Sequence, residues 1–166
     1  MSAKPEIHEA LAPISWLAGR WSTENGQGIF PTIKNFGYHE ELEFLCIGQP
    51  MLNYKSTSQH PEKKIPMHQE RGFLRIKPGT NELALVASHN FGMTSIEEGA
   101  YNPDKNEIVL DSINISRVSS AKSPHVTRIK RTLRRLENDT LEMVIEMETE
   151  ETALTEHLKA IYTKVQ

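Results

Sequence analysis

The sequence lacks the features of an exported or membrane-spanning protein. It has a single cysteine, Cys46, which excludes an internal disulfide and favours a reducing compartment. No basic and apolar leader opens it, and no apolar run approaches the roughly 20 residues that a membrane-spanning helix needs. We therefore expect a cytoplasmic protein. A chain of this size could also enter the nucleus by diffusion.

Neither sign of charge dominates the chain. The net charge is −3 over 166 residues, which argues against a surface adapted to nucleic acid or to an anionic membrane. Apolar residues make up 37% and charged residues 25%, an ordinary balance for a globular protein. We expect residues 1–166 to form a single domain, because this length is sufficient for one buried core.

The common signatures of catalytic sites are missing as well. The sequence contains no GxSxG elbow, no Cys-His nucleophile pattern and no HExxH or CxxC zinc spacing. Gly26 and Gly28 precede no Walker-type lysine, so a phosphate-binding loop is not indicated. The residues alone therefore point to no catalytic side chain.

Alternating apolar residues predict β-strands along most of the chain. The pattern has the period of two that a half-buried strand requires. Short connections rich in Pro, Gly, Asn and Asp separate these segments, so neighbouring strands should be antiparallel. The clearest strand patterns lie at Phe36–Ile47, Glu82–His89, Glu107–Ile115 and Thr140–Met147.

This pattern predicts an all-β protein built as an antiparallel up-and-down barrel, because closure removes exposed strand edges. A barrel of about eight or more strands can hold a small ligand inside or at its mouth. The segment Pro5–Leu17 differs, since Ile7, Leu11 and Ile14 recur at near-helical spacing around Pro13. We expect a short helix there, a turn or two long, that acts as a lid or plug.

The strongest basic run, Thr127–Arg135, allows two interpretations. It could be a nuclear-import or nucleic-acid patch. It could also be a strand whose charges face solvent and pair with Glu142, Glu146 and Glu148 on the next strand. We favour the second interpretation, because the chain as a whole is acidic.

Most of the seven histidines are expected to be solvated, since His60 and His125 flank prolines in predicted turns. His157 differs, because it lies within the last predicted strand, Thr152–Val165. Strict alternation places Leu158 and Tyr162 on one face of that strand and His157 on the other. If the leucine and tyrosine face the core, His157 needs a β-bulge or a place at the barrel rim.

Several stretches of the sequence resemble motifs of the nitrobindin family of small haem-binding β-barrels. The likeness covers nearly the whole chain and is strongest to the animal form found at the C-terminus of a THAP zinc-finger protein. The opening GxWxGxG spacing of the family is loosened here between Trp21 and Gly26. The stretches that carry the resemblance are Leu17–Trp21, Gly26–Ile33, Phe36–Glu41, Gly48–Tyr54, Pro66–Arg75 and Glu156–Tyr162.

The resemblance implies a ten-stranded antiparallel up-and-down β-barrel, related in shape to fatty-acid-binding proteins, with a short N-terminal helix. It implies one haem b with ferric iron near the barrel mouth. His157 would be the iron ligand, and Thr32 would be a second haem contact from the loop after the first strand. Met67, His68 and Met147 match positions expected near the pocket.

The resemblance also implies an activity, in which the ferric haem binds nitric oxide and isomerises peroxynitrite to nitrate. The chemistry belongs to the haem iron, so no side-chain general acid or base is required. Peroxynitrite and nitric oxide are then the expected ligands. Nucleic acid and membrane are not expected partners, and a homodimer stays open.

Two hypotheses from other classes stand beside this one. The first is an intracellular fatty-acid or lipid-binding barrel without haem, in which Arg75, Arg117 and Tyr162 hold the ligand carboxylate. Fold cannot separate it from a haem protein, because the two would share the barrel. The second is a protein-interaction domain that uses the strand Thr127–Arg135.

Overall fold

The computed structural model describes residue 3 and residues 5–166, and most of them form a closed β-barrel. A 3₁₀ helix, Glu9–Leu17, precedes ten strands. The predicted ten-stranded antiparallel barrel with a short N-terminal helix is confirmed. The strands are β1 Gly19–Phe30, β2 Ile33–Cys46, β3 Met51–Gln59, β4 Pro66–Ile76, β5 Glu82–His89, β6 Met93–Asn102, β7 Glu107–Arg117, β8 Val126–Arg135, β9 Leu141–Thr149 and β10 Thr155–Val165.

Each strand pairs antiparallel with the next strand in the sequence, and β10 returns to β1. The barrel therefore has no unpaired edge, as an up-and-down barrel requires. Tight turns make this order possible, and Asn106 and Asp139 adopt positive φ values of 49° and 57° in two of them. Asn and Asp tolerate this left-handed conformation better than most residues, which explains their place in the predicted turns.

The inner face of the barrel carries the core. Alternate residues of β2, β5 and β9 point inward, and burial of their apolar area is the main stabilising contribution. The alternation predicted for these strands is confirmed. The buried set includes Tyr38, Leu42, Phe44, Leu83, Leu85, Ala87, Leu141, Met143 and Ile145.

The 3₁₀ helix closes one end of the barrel. Leu11, Ile14 and Leu17 are fully buried, so one side of the helix belongs to the core. Trp21, at the start of β1, donates its indole N–H to the Leu17 carbonyl at 2.9 Å. The predicted plug is therefore present, and it lies at the end where β1 begins and β10 ends.

The details of this segment differ from the sequence-based expectation. The near-helical spacing groups Ile7 with the buried Leu11 and Ile14, but Ile7 precedes the helix and is 42% exposed. Pro13 lies inside the helix, and the backbone of Ile14 leaves helical geometry at φ −117°. Proline cannot donate the hydrogen bond of a regular turn, so the segment folds as a kinked 3₁₀ helix.

The basic run on β8 forms cross-strand ion pairs with β9. Arg134 lies 3.2 Å from Glu142, and Lys130 lies 3.9 Å from Glu146. The interpretation of the run as a strand with paired, solvent-facing charges is confirmed for these positions. Arg131 is the exception, since its side chain is buried inside the barrel. Within the described residues, no helix is long and apolar enough to cross a membrane.

Candidate functional site

His157 occupies a β-bulge in β10. On the neighbouring strand β9, Glu156 pairs with Glu146 and Leu158 pairs with Ile145. These partners are consecutive, so the intervening His157 is the extra residue of the bulge. The bulge resolves the alternation problem, because His157 and Leu158 can both line the same internal cavity.

The imidazole of His157 is held in one orientation. Its Nδ1 lies 2.9 Å from the carbonyl oxygen of Ile29 on β1, and a carbonyl can only accept. Nδ1 therefore carries the proton, which leaves the lone pair of Nε2 free. The rings of Phe30 and Phe36 meet the imidazole edge-on at 5.4 and 6.2 Å. Burial lowers the pKa of His157, against a smaller opposing effect of the Ile29 hydrogen bond, so the neutral form is favoured.

The cavity beside His157 is small and lies at the end of the barrel opposite the helix. Its volume is about 60 Å³, room for one or two water molecules. A groove of about 670 Å³ adjoins it and shares Phe91, Val126 and Met147 with it. A group larger than a few atoms therefore has space at the barrel mouth and not deep inside the barrel.

A buried ion cluster forms the floor of the cavity. The guanidinium of Arg131 donates to Glu70 at 2.8 Å and to Glu97 at 3.0 Å. The hydroxyl of Tyr54 also donates to Glu70 at 2.8 Å. Burial is the largest influence and would raise the pKa of Glu70, but the Arg131 cation and its hydrogen bond, together with His68 and His89, outweigh it and hold that pKa well below its usual range. The pKa of Glu97 is raised, because there burial outweighs the same cation.

His68 and His89 extend this cluster toward the mouth. Ser95 donates its hydroxyl to Glu97 at 3.1 Å, so it accepts from His89 Nε2 at 2.9 Å. His89 Nδ1 is then an acceptor, and His68 Nε2 lies 2.9 Å from it. Burial lowers the pKa of His68 and lowers that of His89 to about 4, so both imidazoles are neutral near pH 7.

Sequence reasoning did not assemble this polar cluster. Its members come from β3, β4, β5, β6 and β8, and the sequence alone does not show which distant strands face one another across a barrel. One signal was present, since His68 and Glu70 are two residues apart in the sequence and would share a face of any strand that contains both.

The structure brings some, but not all, of the residues implied by the family resemblance to the small cavity. His157, His68 and Met147 line the small cavity together. Met67 is half-buried and packs against the core. Thr32 lies in the two-residue turn between β1 and β2, at the same end of the barrel as His157, and it is exposed. It does not line the small cavity, so its role as a haem contact stays a prediction.

The carboxylate clamp expected for a lipid carrier is wrong. Arg75 is exposed at the helix end of the barrel, and Arg117 is exposed beside the groove at the mouth, so the two cannot hold one carboxylate. Tyr162 is buried, but its hydroxyl donates to Glu40 in the core. The buried cation among the residues of the cavity wall is Arg131, and two protein carboxylates already neutralise it. A fatty-acid carboxylate would have to displace one of them.

Comparison with known proteins gives a family match over nearly the whole chain. The family described as a THAP4-like, heme-binding beta-barrel domain matches residues 10–164. Proteins named peroxynitrite isomerase THAP4 from Rattus norvegicus and Homo sapiens are 43% and 41% identical over 162 residues. Those residues are 97% of this chain, which spans 28% of the length of each of these two relatives.

Two further relatives are close to this chain in length. A protein named peroxynitrite isomerase Rv2717c from Arabidopsis thaliana is 34% identical over 161 residues, covering 97% of this chain and 92% of that protein. The crystal structure of Rv2717c from M. tuberculosis superposes with a TM-score of 0.86 at 31% identity. That superposition covers 97% of this chain and 100% of the other.

Proposed function

Because this chain belongs to the family of THAP4-like, heme-binding β-barrel domains, we propose that it holds one haem b through His157 and isomerises peroxynitrite to nitrate. Relatives named peroxynitrite isomerase occur in animals, a plant and a bacterium, which supports the activity. When bound, the haem supplies the iron at which a nitrogen–oxygen species binds and rearranges.

The observation that carries the proposal is the free Nε2 of His157. A neutral imidazole is a good ligand for haem iron, and a single proximal histidine is a common form of haem ligation. The Ile29 carbonyl fixes the tautomer that leaves Nε2 bare and orients the ring. The donor set therefore fits a haem that would be held by His157.

The other residues of the site control access. Phe91, Val126 and Met147 form an apolar wall shared by the groove and the cavity, so they keep bulk water from the ligand face. The polar cluster behind His68 is internally hydrogen-bonded, so no single side chain is left as an obvious general acid or base. The protein's role is then ligation, orientation and selective access.

The finer parts of the proposal concern the iron state, the ligands and the location. We propose a ferric resting iron that would also bind nitric oxide, since His157 is the one protein ligand assigned to it. Cys46 is a free thiol, which supports the cytoplasmic location expected from the sequence.

A haemin titration of the purified chain tests the proposal. Wild-type protein should develop a sharp Soret band that saturates at one haem per chain and should accelerate peroxynitrite decay in stopped flow. His157→Ala should lose the band and the acceleration, because the only proposed iron ligand is removed. His39→Gln is the matched control, since His39 is also a strand histidine but its Nδ1 contacts Lys64 on the barrel exterior.

Two outcomes would count against the assignment. Saturable haem binding by His157→Ala, with an unchanged spectrum, would show that another residue ligates the iron. If the wild-type protein binds haem but leaves the rate of peroxynitrite decay unchanged, the haem site would stand and the isomerase activity would be refuted.

A further inference from the structure

Three potential metal ligands converge on the wall of the small cavity. His68, Glu70 and His89 each offer one donor atom, and these atoms all lie within 4.8 Å of one another. His157 is not a member of this group among the described residues. We propose that His68, Glu70 and His89 form a second site, distinct from the haem ligand, that binds a first-row divalent cation such as Zn²⁺.

The strand register explains the convergence. Glu70 on β4 pairs directly with His89 on β5. His68 precedes Glu70 by two residues, so it shares the same inward face. Cross-strand partners and residues two apart are the closest neighbours on one face of a sheet. The three donors are therefore held by the barrel wall itself and not by a flexible loop.

The spacing of the donors matches that of a metal site. His68 Nε2 lies 2.9 Å from His89 Nδ1, and His89 Nδ1 lies 3.3 Å from Glu70 Oε1. Metal bonds of about 2.0–2.2 Å to nitrogen and oxygen place adjacent ligands about 2.8–3.6 Å apart in octahedral or tetrahedral geometry. A cation could therefore replace the hydrogen bond between the two imidazoles with little movement of either ring, and its binding would move the His68 proton from Nε2 to Nδ1.

The surrounding hydrogen bonds are those of a supported metal site. His89 donates its other ring nitrogen, Nε2, to Ser95, which in turn donates to Glu97. Metal-binding histidines are commonly oriented in this way through the nitrogen that does not bind the metal. Glu70 is fixed by Tyr54 and Arg131.

The remaining coordination positions would face the cavity. Two histidines and one carboxylate on one side of a metal leave the other side open, an arrangement suited to Fe²⁺ and Zn²⁺. All three side chains line the cavity of about 60 Å³, which has room for one or two water molecules as further ligands. The proposed site therefore opens on the same cavity as His157, which is not one of its ligands.

Zn²⁺ titration calorimetry of the full, haem-free chain tests the site. Haem-free protein should bind one Zn²⁺, and Co²⁺ at the same site should give a visible absorption band that Zn²⁺ abolishes. His68→Gln and His89→Gln should each weaken binding about tenfold or more, because each removes one of three ligands. His68 is half-buried, so His68→Gln should fold even if the buried His89→Gln does not.

His157→Ala and His39→Gln separate this inference from the proposed function. Both should bind Zn²⁺ as wild type does, although His157→Ala loses haem. Failure of the wild type to bind one Zn²⁺, or unchanged affinity in His68→Gln, would overturn the site. Loss of Zn²⁺ binding in a folded His157→Ala variant would also overturn it, since the metal would then belong to the haem ligand.

Discussion

Among single residues, Glu40 shows how the barrel interior controls ionisation. Its side chain is buried on β2 and accepts hydrogen bonds from Ser56 at 2.8 Å and from Tyr162. Burial raises the pKa of Glu40 from 4.5 to about 7, and the two hydrogen bonds offset only part of this effect. The folded protein therefore retains a proton on Glu40 at pH values where the unfolded chain has lost it.

This proton makes the stability contribution of Glu40 fall as pH rises. Between about pH 4.5 and pH 7 the native state binds more protons than the unfolded state, so the free energy of unfolding decreases with pH. In Glu40→Gln this dependence is absent, because the amide does not titrate. The free energy of unfolding of the variant, relative to that of wild type, should rise by up to about 3 kcal/mol across that range, at about 1.4 kcal/mol per pH unit.

Urea unfolding at several pH values from 4.5 to 7.5 measures this difference. Glu41→Gln is the matched control, since Glu41 is the exposed neighbour of Glu40 on the same strand. A stability difference between Glu40→Gln and wild type that does not change with pH would show that Glu40 is ionised throughout the range.

Single residues also show where sequence reasoning succeeds and where it stops. The alternation around His157 required a bulge or a rim position, and the structure has a bulge. Arg131 was expected to face solvent with the rest of its run, but it shares the inward face of Ile129 and Leu133. A buried guanidinium is tolerated only beside carboxylates, and both of its partners come from distant strands. No local pattern on β8 could reveal them.

At the scale of elements, the pairing of β4 with β5 depends on a glycine. Gly72 faces Ala87, and a Cβ at this position would lie 1.8 Å from the Val86 carbonyl oxygen. Backbone atoms of a paired strand cannot move aside as the end of a flexible side chain can. The two strands that carry His68, Glu70 and His89 can therefore approach this closely only without a side chain at residue 72.

Gly72→Ala should consequently destabilise the protein by about 1–3 kcal/mol, the usual cost of overpacking. Thermal unfolding by circular dichroism provides the measurement. Gly37→Ala is the control, because a Cβ there meets its nearest neighbours at 3.6 Å, an ordinary contact distance. Equal melting temperatures for Gly72→Ala and wild type would mean that the β4–β5 pair can open without cost.

Element type was more predictable than element detail. Alternation and turn residues predicted the antiparallel strands, because both depend on local sequence and on one buried face. The first segment was predicted as a helix, but its kink at Ile14 was not. That kink directly follows Pro13, and Lys164 ties the end of the segment to the barrel by donating to the Trp16 carbonyl at 3.2 Å.

For the molecule as a whole, the two ends of the barrel have different roles. The 3₁₀ helix closes one end with fully buried apolar side chains and with Trp16 packed against Tyr101, at 6.1 Å between ring centroids. His157 and the metal-ligand cluster lie at the other end, where the groove and the small cavity meet. Stability and ligand binding should therefore be separable by mutation.

Ile14→Ala tests this separation. Ile14 is fully buried, so its truncation should lower the free energy of unfolding by about 2–5 kcal/mol through lost burial and a residual cavity. Ile7→Ala is the matched control, since a side chain that is 42% exposed should contribute less than about 0.5 kcal/mol. Haemin titration at a temperature where Ile14→Ala is fully folded should give wild-type affinity, because the change lies at the closed end. A haem affinity that falls together with stability would instead show that the helix end and the mouth are coupled through the barrel wall.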